Sequence, residues 1–245
     1  YRFKSRSDAE VILQCYVEYG DSFGSHLNGQ FAVAIWDRPR HRLVLVRDRL
    51  GVRPLFFHSA PGLFAFASEI KSLLVLPEIP REFNAKALDQ LFTFWTPIGA
   101  HTFFQGIEEL PPGHQLVVEN GETRVTPYWA WPFPSLQDKR QQPFDQLEDE
   151  FRERLQRSVD FRLRSDVEVG AYLSGGIDSS AIVALVSRSA KRGFKTFSVS
   201  FDDETYDERL AQRAVSDLFR THHENVTCSN RDIAQSFEDV IWHTE

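Results

Sequence analysis

The sequence predicts two folded units in succession: a strand-rich α+β half, then an α/β half built on a parallel sheet. Three observations carry this. From Gln30 to Ser68, short apolar runs are separated by turn residues. From Val167 onward, strand-like and helix-like runs alternate, which is the rhythm of a parallel sheet with crossover helices. Between these halves lies a proline-rich polar stretch, read as a linker over 132–143. The units are then 1–131 and 144–245, with no internal repeat.

The elements follow in order. Ser7-Asp8-Ala9-Glu10 reads as a capping box in which Ser7 bonds the N–H of Glu10 and Glu10 reaches back to the N–H of Ser7. Ile12, Cys15, Tyr16 and Tyr19 recur at helical spacing, and Gly20 is a natural stop. Phe31 to Asp37 is nearly all apolar, as in a strand covered on both faces. Arg38 to His41 reads as a hairpin turn leading to a partner strand, Leu43 to Asp48. Leu55–His58 and Leu63–Ala67 form a second pair across Ser59-Ala60-Pro61-Gly62. Helices are expected over Glu69–Leu74 and, capped by Asn84, over Ala85–Phe94. Past the linker, Phe144–Arg164 reads as one amphipathic helix with Phe144, Leu147, Phe151, Leu155 and Val159 on its apolar face. Then come a strand before Ser174 and a buried helix over Ala181–Val186. A strand at Thr196–Phe201, a helix from Asp207 to Phe219, a strand near Val226 and a helix from about Arg231 complete the pattern.

Composition excludes several function classes. With 245 residues, 42% hydrophobic and 26% charged, including 21 Phe, the chain can fill a sizeable core. A net charge of -7 argues against a general nucleic-acid or membrane-surface binder. Two cysteines, Cys15 and Cys228, make no disulfide framework and predict a reducing compartment, the cytoplasm. Cys15 falls on the apolar face of its helix, where a structural thiol is expected. No apolar run is long enough to span a bilayer, and no signal peptide is visible. The chain has no Met, opens on Tyr1-Arg2-Phe3 and stops at Thr244-Glu245, which is read as an internal piece of a longer protein.

The most informative stretch is Ala171-Tyr172-Leu173-Ser174-Gly175-Gly176-Ile177-Asp178-Ser179-Ser180, read as a strand, a glycine turn and a helix start. The two glycines let the backbone turn sharply and approach a ligand. Ser174, Ser179 and Ser180 bring hydroxyls, and the helix start brings free N–H groups at the positive end of a dipole, an arrangement that binds phosphate. The carboxylate of Asp178 would repel bare phosphate, so it implies a divalent cation between them. A Walker A ending and a G-x-G-x-x-G fingerprint are both absent. The plainer alternative is an ordinary strand-to-helix turn with a serine cap. His222-His223-Glu224 suggests a metal site, but adjacent histidines on a strand face opposite ways. Arg47, Asp48, Arg49 and Arg53 read as an ion-paired loop that supports the fold, with a substrate passage as the alternative.

Ser174 to Ser180 resembles the PP-loop of ATP pyrophosphatases, which split ATP between the α and β phosphates and leave an adenylated substrate. Further matches extend the resemblance over essentially the whole chain: 7–13, Leu27-Asn28-Gly29-Gln30 through Asp37, Arg47-Asp48-Arg49-Leu50-Gly51-Val52-Arg53-Pro54-Leu55, Ala67-Ser68-Glu69-Ile70-Lys71, and Glu109-Leu110-Pro111-Pro112-Gly113-His114. Together they resemble the glutamine-hydrolysing asparagine synthetase family. The resemblance implies a partial Ntn-hydrolase αββα sandwich that acts as the glutaminase, followed by a partial PP-loop parallel α/β domain. It implies ATP and Mg2+, and glutamine and aspartate as partners, with a homodimer as the assembly.

Residue by residue, Asp8 matches the carboxylate that grips the α-amino group of glutamine, and it also suits a helix start as a charge that complements the dipole. Leu173, Ser174, Gly175, Gly176, Asp178, Ser179 and Ser180 match the ATP site, with Asp178 as the metal-proximal aspartate. Val199 matches a position whose backbone contacts adenine, and it is also expected to be a buried strand residue. The family's nucleophile is an N-terminal cysteine, which neither Cys15 nor Cys228 matches. Its Asn-Gly-Glu motif is expected before Tyr1, so Asn28-Gly29 is a different motif. A second phosphate motif and a catalytic lysine are expected beyond Glu245. No catalytic residue is therefore assigned within this sequence, and the chain alone is expected to be inactive. Two alternatives stay open: a relative on the same frame with another acceptor, such as a β-lactam synthetase, and a non-catalytic nucleotide-binding paralogue.

Overall fold

The computed structural model describes residues 1–138, 142–190, 193–203, 205 and 207–244. The chain divides into two compact units, Tyr1–Phe133 and Pro134–Thr244. Part of the expected linker, 139–141, lies outside the described residues.

The first unit opens with helix α1, Asp8–Tyr19. Ser7 caps it by accepting from Ala9 N at 3.2 Å, and Gly20, at φ 55°, ends it. The expected capping box does not form. The segment before Ser7 folds back, so the Glu10 carboxylate accepts from Lys4 N at 2.8 Å, Ser5 N at 2.7 Å and the Ser5 hydroxyl at 2.5 Å instead. The Ser7 N–H, which Glu10 was expected to take, donates to Ser5 Oγ at 3.2 Å instead.

Two antiparallel sheets follow. One joins β1 (Ala32–Asp37), β2 (Arg42–Arg47), β6 (His114–Glu119) and β7 (Glu122–Pro127) in the order β1-β2-β6-β7. The other joins β3 (Phe56–Ala60), β4 (Leu63–Ala67) and β5 (Ile107–Glu109) in the order β4-β3-β5. Helices α2 (Ile70–Leu73) and α3 (Ala85–Phe94) complete the unit, with Asn84 capping α3 through Lys86 N and Ala87 N. The expected first strand of the series is an edge strand, and its residues alternate between half-buried and exposed, with Trp36 59% exposed. An apolar run covered on both faces was the wrong reading, because only the face of Ile35 is packed, and the face of Ala32, Ala34 and Trp36 is left exposed.

The period-2 alternation of strand side chains sorts the core into layers. On one face of the first sheet, Val44, Val46 and Val117 pack with Tyr16 of α1 and Phe23. On its other face, Leu45 and Leu116 meet Leu55 and Phe57 of the second sheet. The far face of that sheet, through Phe56, Leu63 and Ala65, packs on Ile70 and Leu73 of α2. The order is helix, sheet, sheet, helix, which is the expected αββα sandwich.

In the second unit, β8 (Ala171–Tyr172), β9 (Lys195–Phe201) and β10 (His222–Cys228) form a parallel sheet with β9 in the middle. Helix α4 (Phe144–Arg162) precedes it, α5 (Ile177–Ser189) and α6 (Arg209–Phe219) cross between strands, and α7 (Asn230–Thr244) follows. Leu155 and Val159 of α4 pack on Leu185 and Val186 of α5. The N-terminal part of α4's apolar stripe stays open, with Phe144 76% and Phe151 66% exposed, because α5 meets only its C-terminal turns.

Candidate functional site

The loop Leu173–Gly176 leaves β8 and enters α5 with Leu173 buried and anchored to β9 by its N–H on Phe197 O at 2.8 Å. The two glycines serve different ends. Gly175 sits at φ +85°, and a Cβ there would lie 2.9 Å from Ala211 Cβ and 3.2 Å from Gln212 N, so the turn can press against α6 only without a side chain. Gly176 has ordinary extended backbone, and a Cβ there would meet only Ser174 Oγ at 3.4 Å. The space beyond Gly176 is open.

The loop's hydroxyls turn inward. Ser174 N and Ser174 Oγ both bond Ser179 Oγ, at 3.2 and 2.9 Å. Gly176 N donates to Ser174 Oγ at 3.3 Å, while Ser179 and Ser180 hydroxyls donate to Gly176 O at 3.2 and 2.7 Å. These bonds hold the turn in shape. No side chain caps α5, so the N–H groups of Ile177, Asp178 and Ser179 have no acceptor among the described residues. Uncapped donors at a helix start, with the dipole behind them, make an anion site. Asp178 is exposed in the first turn. Among the described residues no group of three or more His, Cys, Asp or Glu comes together as a metal site.

Val199 is 50% exposed and not a buried strand residue. The buried side chains of β9 are its alternate ones, Thr196, Ser198 and Ser200, which lie on the opposite face. Phe197 O bonds Leu173 N on the β8 side of the strand, so the peptide groups of Val199, two residues on, face the same edge. Tyr172 is the last residue of β8 and pairs with Phe197, so Val199 has no partner strand on that edge. Its carbonyl is reached instead by Gln212 Nε2 at 3.3 Å. Gln212, 1% exposed, was not singled out from sequence; its only signal was one polar residue at a sheet-facing position of α6.

In the first unit, Asp8 lines a cavity of about 490 Å³ with Ile12, Gln30, Phe31, Arg53, Ser68 and Glu69. Its Oδ1 accepts from Ala9 N at 2.8 Å, so it serves the helix start and the cavity wall at once. Two carboxylates, Asp8 and Glu69 (the latter paired with Lys71), and the Arg53 guanidinium line it, and Asp8 with Arg53 suits an ammonium and a carboxylate on one small ligand. Asp8 and the Ser174–Ser180 loop belong to separate units, so each is a site in its own right. The expected ion-paired loop is held mostly by backbone. Asp48 accepts from Phe31, Leu50, Val52 and Arg53 N–H groups, and Arg47 bonds the carbonyls of Arg53, Gly51 and Leu110 and pairs with Glu109 at 2.6 Å. His222 and His223 diverge as expected: His223 Nδ1 lies 3.0 Å from Thr196 Oγ1, while His222 is exposed.

Comparison with known proteins agrees with this division. A glutamine amidotransferase domain model matches residues 1–129, and an asparagine synthase model matches 150–245. Asparagine synthetase [glutamine-hydrolyzing] 2 of Bacillus subtilis is 36% identical over 100% of this chain and 34% of its own length. The amidase chry2 of Gibberella zeae is 33% identical over 100% of this chain and 38% of its own. The chain thus spans little more than a third of the length of these relatives. A glutamine phosphoribosylpyrophosphate amidotransferase from B. subtilis aligns at 14% identity and a TM-score of 0.36, over 92% of this chain and 56% of that one. No helix among the described residues is long and apolar enough to cross a membrane. From its layered first unit, its glycine loop and these matches, the chain belongs to the glutamine-hydrolysing asparagine synthetase family, with a glutamine amidotransferase domain as its first half.

Proposed function

We propose that this chain carries two parts of an ATP-dependent amide ligase that moves ammonia from glutamine to the side-chain carboxylate of aspartate. The observation that carries the reading is the uncapped start of α5, with its N–H groups open beside a loop already held in shape. A carboxylate is a poor electrophile. Its oxygen would attack the α-phosphorus of ATP and expel pyrophosphate, leaving an acyl-adenylate. Ammonia would then add to the acyl carbon and lose a proton, and the C–O bond would break to release AMP. The N–H groups of Ile177, Asp178 and Ser179 would bind the phosphates, with Ser174, Ser179 and Ser180 keeping those donors aligned. The Val199 N–H, on an edge with no partner strand, is suited to an adenine ring nitrogen. Asp178, an exposed hard-oxygen donor in the first turn, fits Mg2+, which would offset phosphate charge when bound. In the first unit, Asp8 would hold the α-ammonium of glutamine. Two free cysteines, Cys15 and Cys228, suit a reducing, cytoplasmic setting.

A second reading keeps the frame and changes the acceptor, because relatives named amidases match the chain as fully as asparagine synthetases do. The test uses the longer parent protein. Gly176→Val and Asp178→Ala should each lower ATP-to-AMP turnover by about a hundredfold or more while glutaminase activity persists at least in part. Formation of ADP by the wild type would end the PP-loop reading. Turnover of Asp178→Ala within a few-fold of wild type would remove the metal role. AMP formation that depends on a carboxylate other than aspartate would select the second reading.

A further inference from the structure

The face of the second sheet beneath α6 is polar, not greasy. Thr196, Ser198 and Ser200 are buried on it. Ser200 Oγ donates to Asn225 Oδ1 at 2.7 Å, and Asn225 Nδ2 donates to Gln212 Oε1 at 3.1 Å. This wall opens, between α6 and the outer strand β10, into a cleft of about 350 Å³ lined by Arg209, Gln212, Arg213, His223, Asn225 and Thr227. Among those six residues are two guanidinium groups, an imidazole and a hydroxyl, and no carboxylate. Arg209 gives its Nε to Asp207, at 2.8 and 2.9 Å, and its two Nη groups have no partner among the described residues. Among the described residues Arg213 keeps its donors but not its charge to itself: the Arg209 hydrogen bond and, less strongly, the charge of Arg213 hold the Asp207 carboxyl below the usual carboxylate range. Of these residues only Gln212 touches the proposed ligase site, through the Val199 carbonyl; the others lie on α6 and β10, not on the Ser174–Ser180 loop.

We propose that the cleft between α6 and β10 binds a phosphate-bearing anion. Guanidinium groups match phosphate oxygens with paired N–H donors, and a tetrahedral dianion can accept from two arginines, a histidine and a hydroxyl together. A planar carboxylate has fewer acceptor sites to offer the same ring of donors. The volume exceeds that of one phosphate and admits a diphosphate. The ligand is either a free phosphate or pyrophosphate, or the phosphate tail of a nucleotide.

The experiment titrates the 245-residue chain with inorganic phosphate and with pyrophosphate at low salt by calorimetry, with circular dichroism as the folding control. Wild type should show saturable binding. Arg213→Gln, at an exposed position, should weaken it about tenfold or more while leaving the spectrum unchanged. Gly176→Val should remove any binding at the Ser174–Ser180 loop and leave the Arg213-dependent component within about twofold. Displacement of pyrophosphate by ATP from the Arg213-dependent site supports the proposal with a nucleotide tail as the source. Binding that ATP leaves unchanged supports it with the free anion as the source. No saturation below about 10 mM overturns it. So does binding that Gly176→Val abolishes and Arg213→Gln spares. Equal weakening by Arg188→Gln, an exposed arginine of α5, also overturns it, because the effect is then overall charge.

Discussion

Two glycine-containing loops, each leaving a strand and each carrying an aspartate, have opposite fates in this molecule. In the loop after β2, Asp48 is 1% exposed and accepts four backbone N–H groups, and the Tyr128 hydroxyl closes the turn by donating to Arg47 O at 2.7 Å. In the loop after β8, Asp178 is exposed and the N–H groups of Ile177, Asp178 and Ser179 have no acceptor among the described residues. The first loop is satisfied internally and holds the fold. The second keeps its donors for something else. Motif content alone does not separate a structural loop from a binding loop; the difference lies in which polar groups the fold has already satisfied.

The largest expected effect comes from breaking the satisfied loop. Asp48→Ala removes the acceptor of four part-buried N–H groups, each a cost of up to about 1–3 kcal/mol. The first unit should lose about 3–5 kcal/mol, read as a lower denaturant midpoint at unchanged slope. The pH dependence has a defined sign. Burial pushes the Asp48 carboxyl up, and the N–H groups of Arg53, Val52, Leu50 and Phe31 outweigh it, leaving the group below the usual carboxylate range. Its contribution is therefore present above an ordinary carboxylate pKa and is lost as pH falls through the lowered folded-state value. Asp48→Asn should flatten the acid limb of the stability curve. An acid limb equal to that of wild type would mean other carboxylates set it.

The open loop should respond differently at its two glycines. Gly175→Ala forces a side chain onto positive φ and into Ala211, and should lower the stability of the second unit by about 1–3 kcal/mol. Gly176→Ala should leave the melting temperature within a degree or two and weaken ATP binding by the longer parent protein instead. Equal melting shifts for both would show that the contrast between strain and access is false. The smallest effect belongs to Ser179→Ala. It removes the hydroxyl that joins Ser174 to Gly176 O without touching the open N–H groups. Its nucleotide affinity should fall about three- to tenfold, and an unchanged affinity would mean the turn needs no such brace.

Much of this was legible in the sequence for local reasons. The Asn84 cap, the Gly20 stop and the two hairpins each follow from chemistry within a few residues, and each stands where expected. The glycine loop was legible because it needs both a turn and a helix start in one short run. What failed depended mostly on neighbours distant in sequence. The apolar run of β1 gave no sign that the strand lies at an edge. The exposure of Val199 depends on which face of β9 receives α6, and the role of Gln212 depends on a carbonyl 13 residues away. The Glu10 bonds were missed because the residues before Ser7 carry no periodic pattern, yet their amides compete for the same carboxylate.

The hydroxyl-lined face of β9 has a thermal consequence. Exposing apolar surface raises the heat capacity of unfolding, and exposing polar surface lowers it. The first unit buries valine, leucine and phenylalanine between its sheets, whereas the second closes part of its interior with Thr196, Ser198, Ser200, Gln212 and Ser216. Per residue, the second unit therefore has the smaller heat-capacity increment and the flatter stability curve. At equal melting temperature and enthalpy per residue, the first unit would reach its stability maximum at the higher temperature and be the more cold-sensitive of the two.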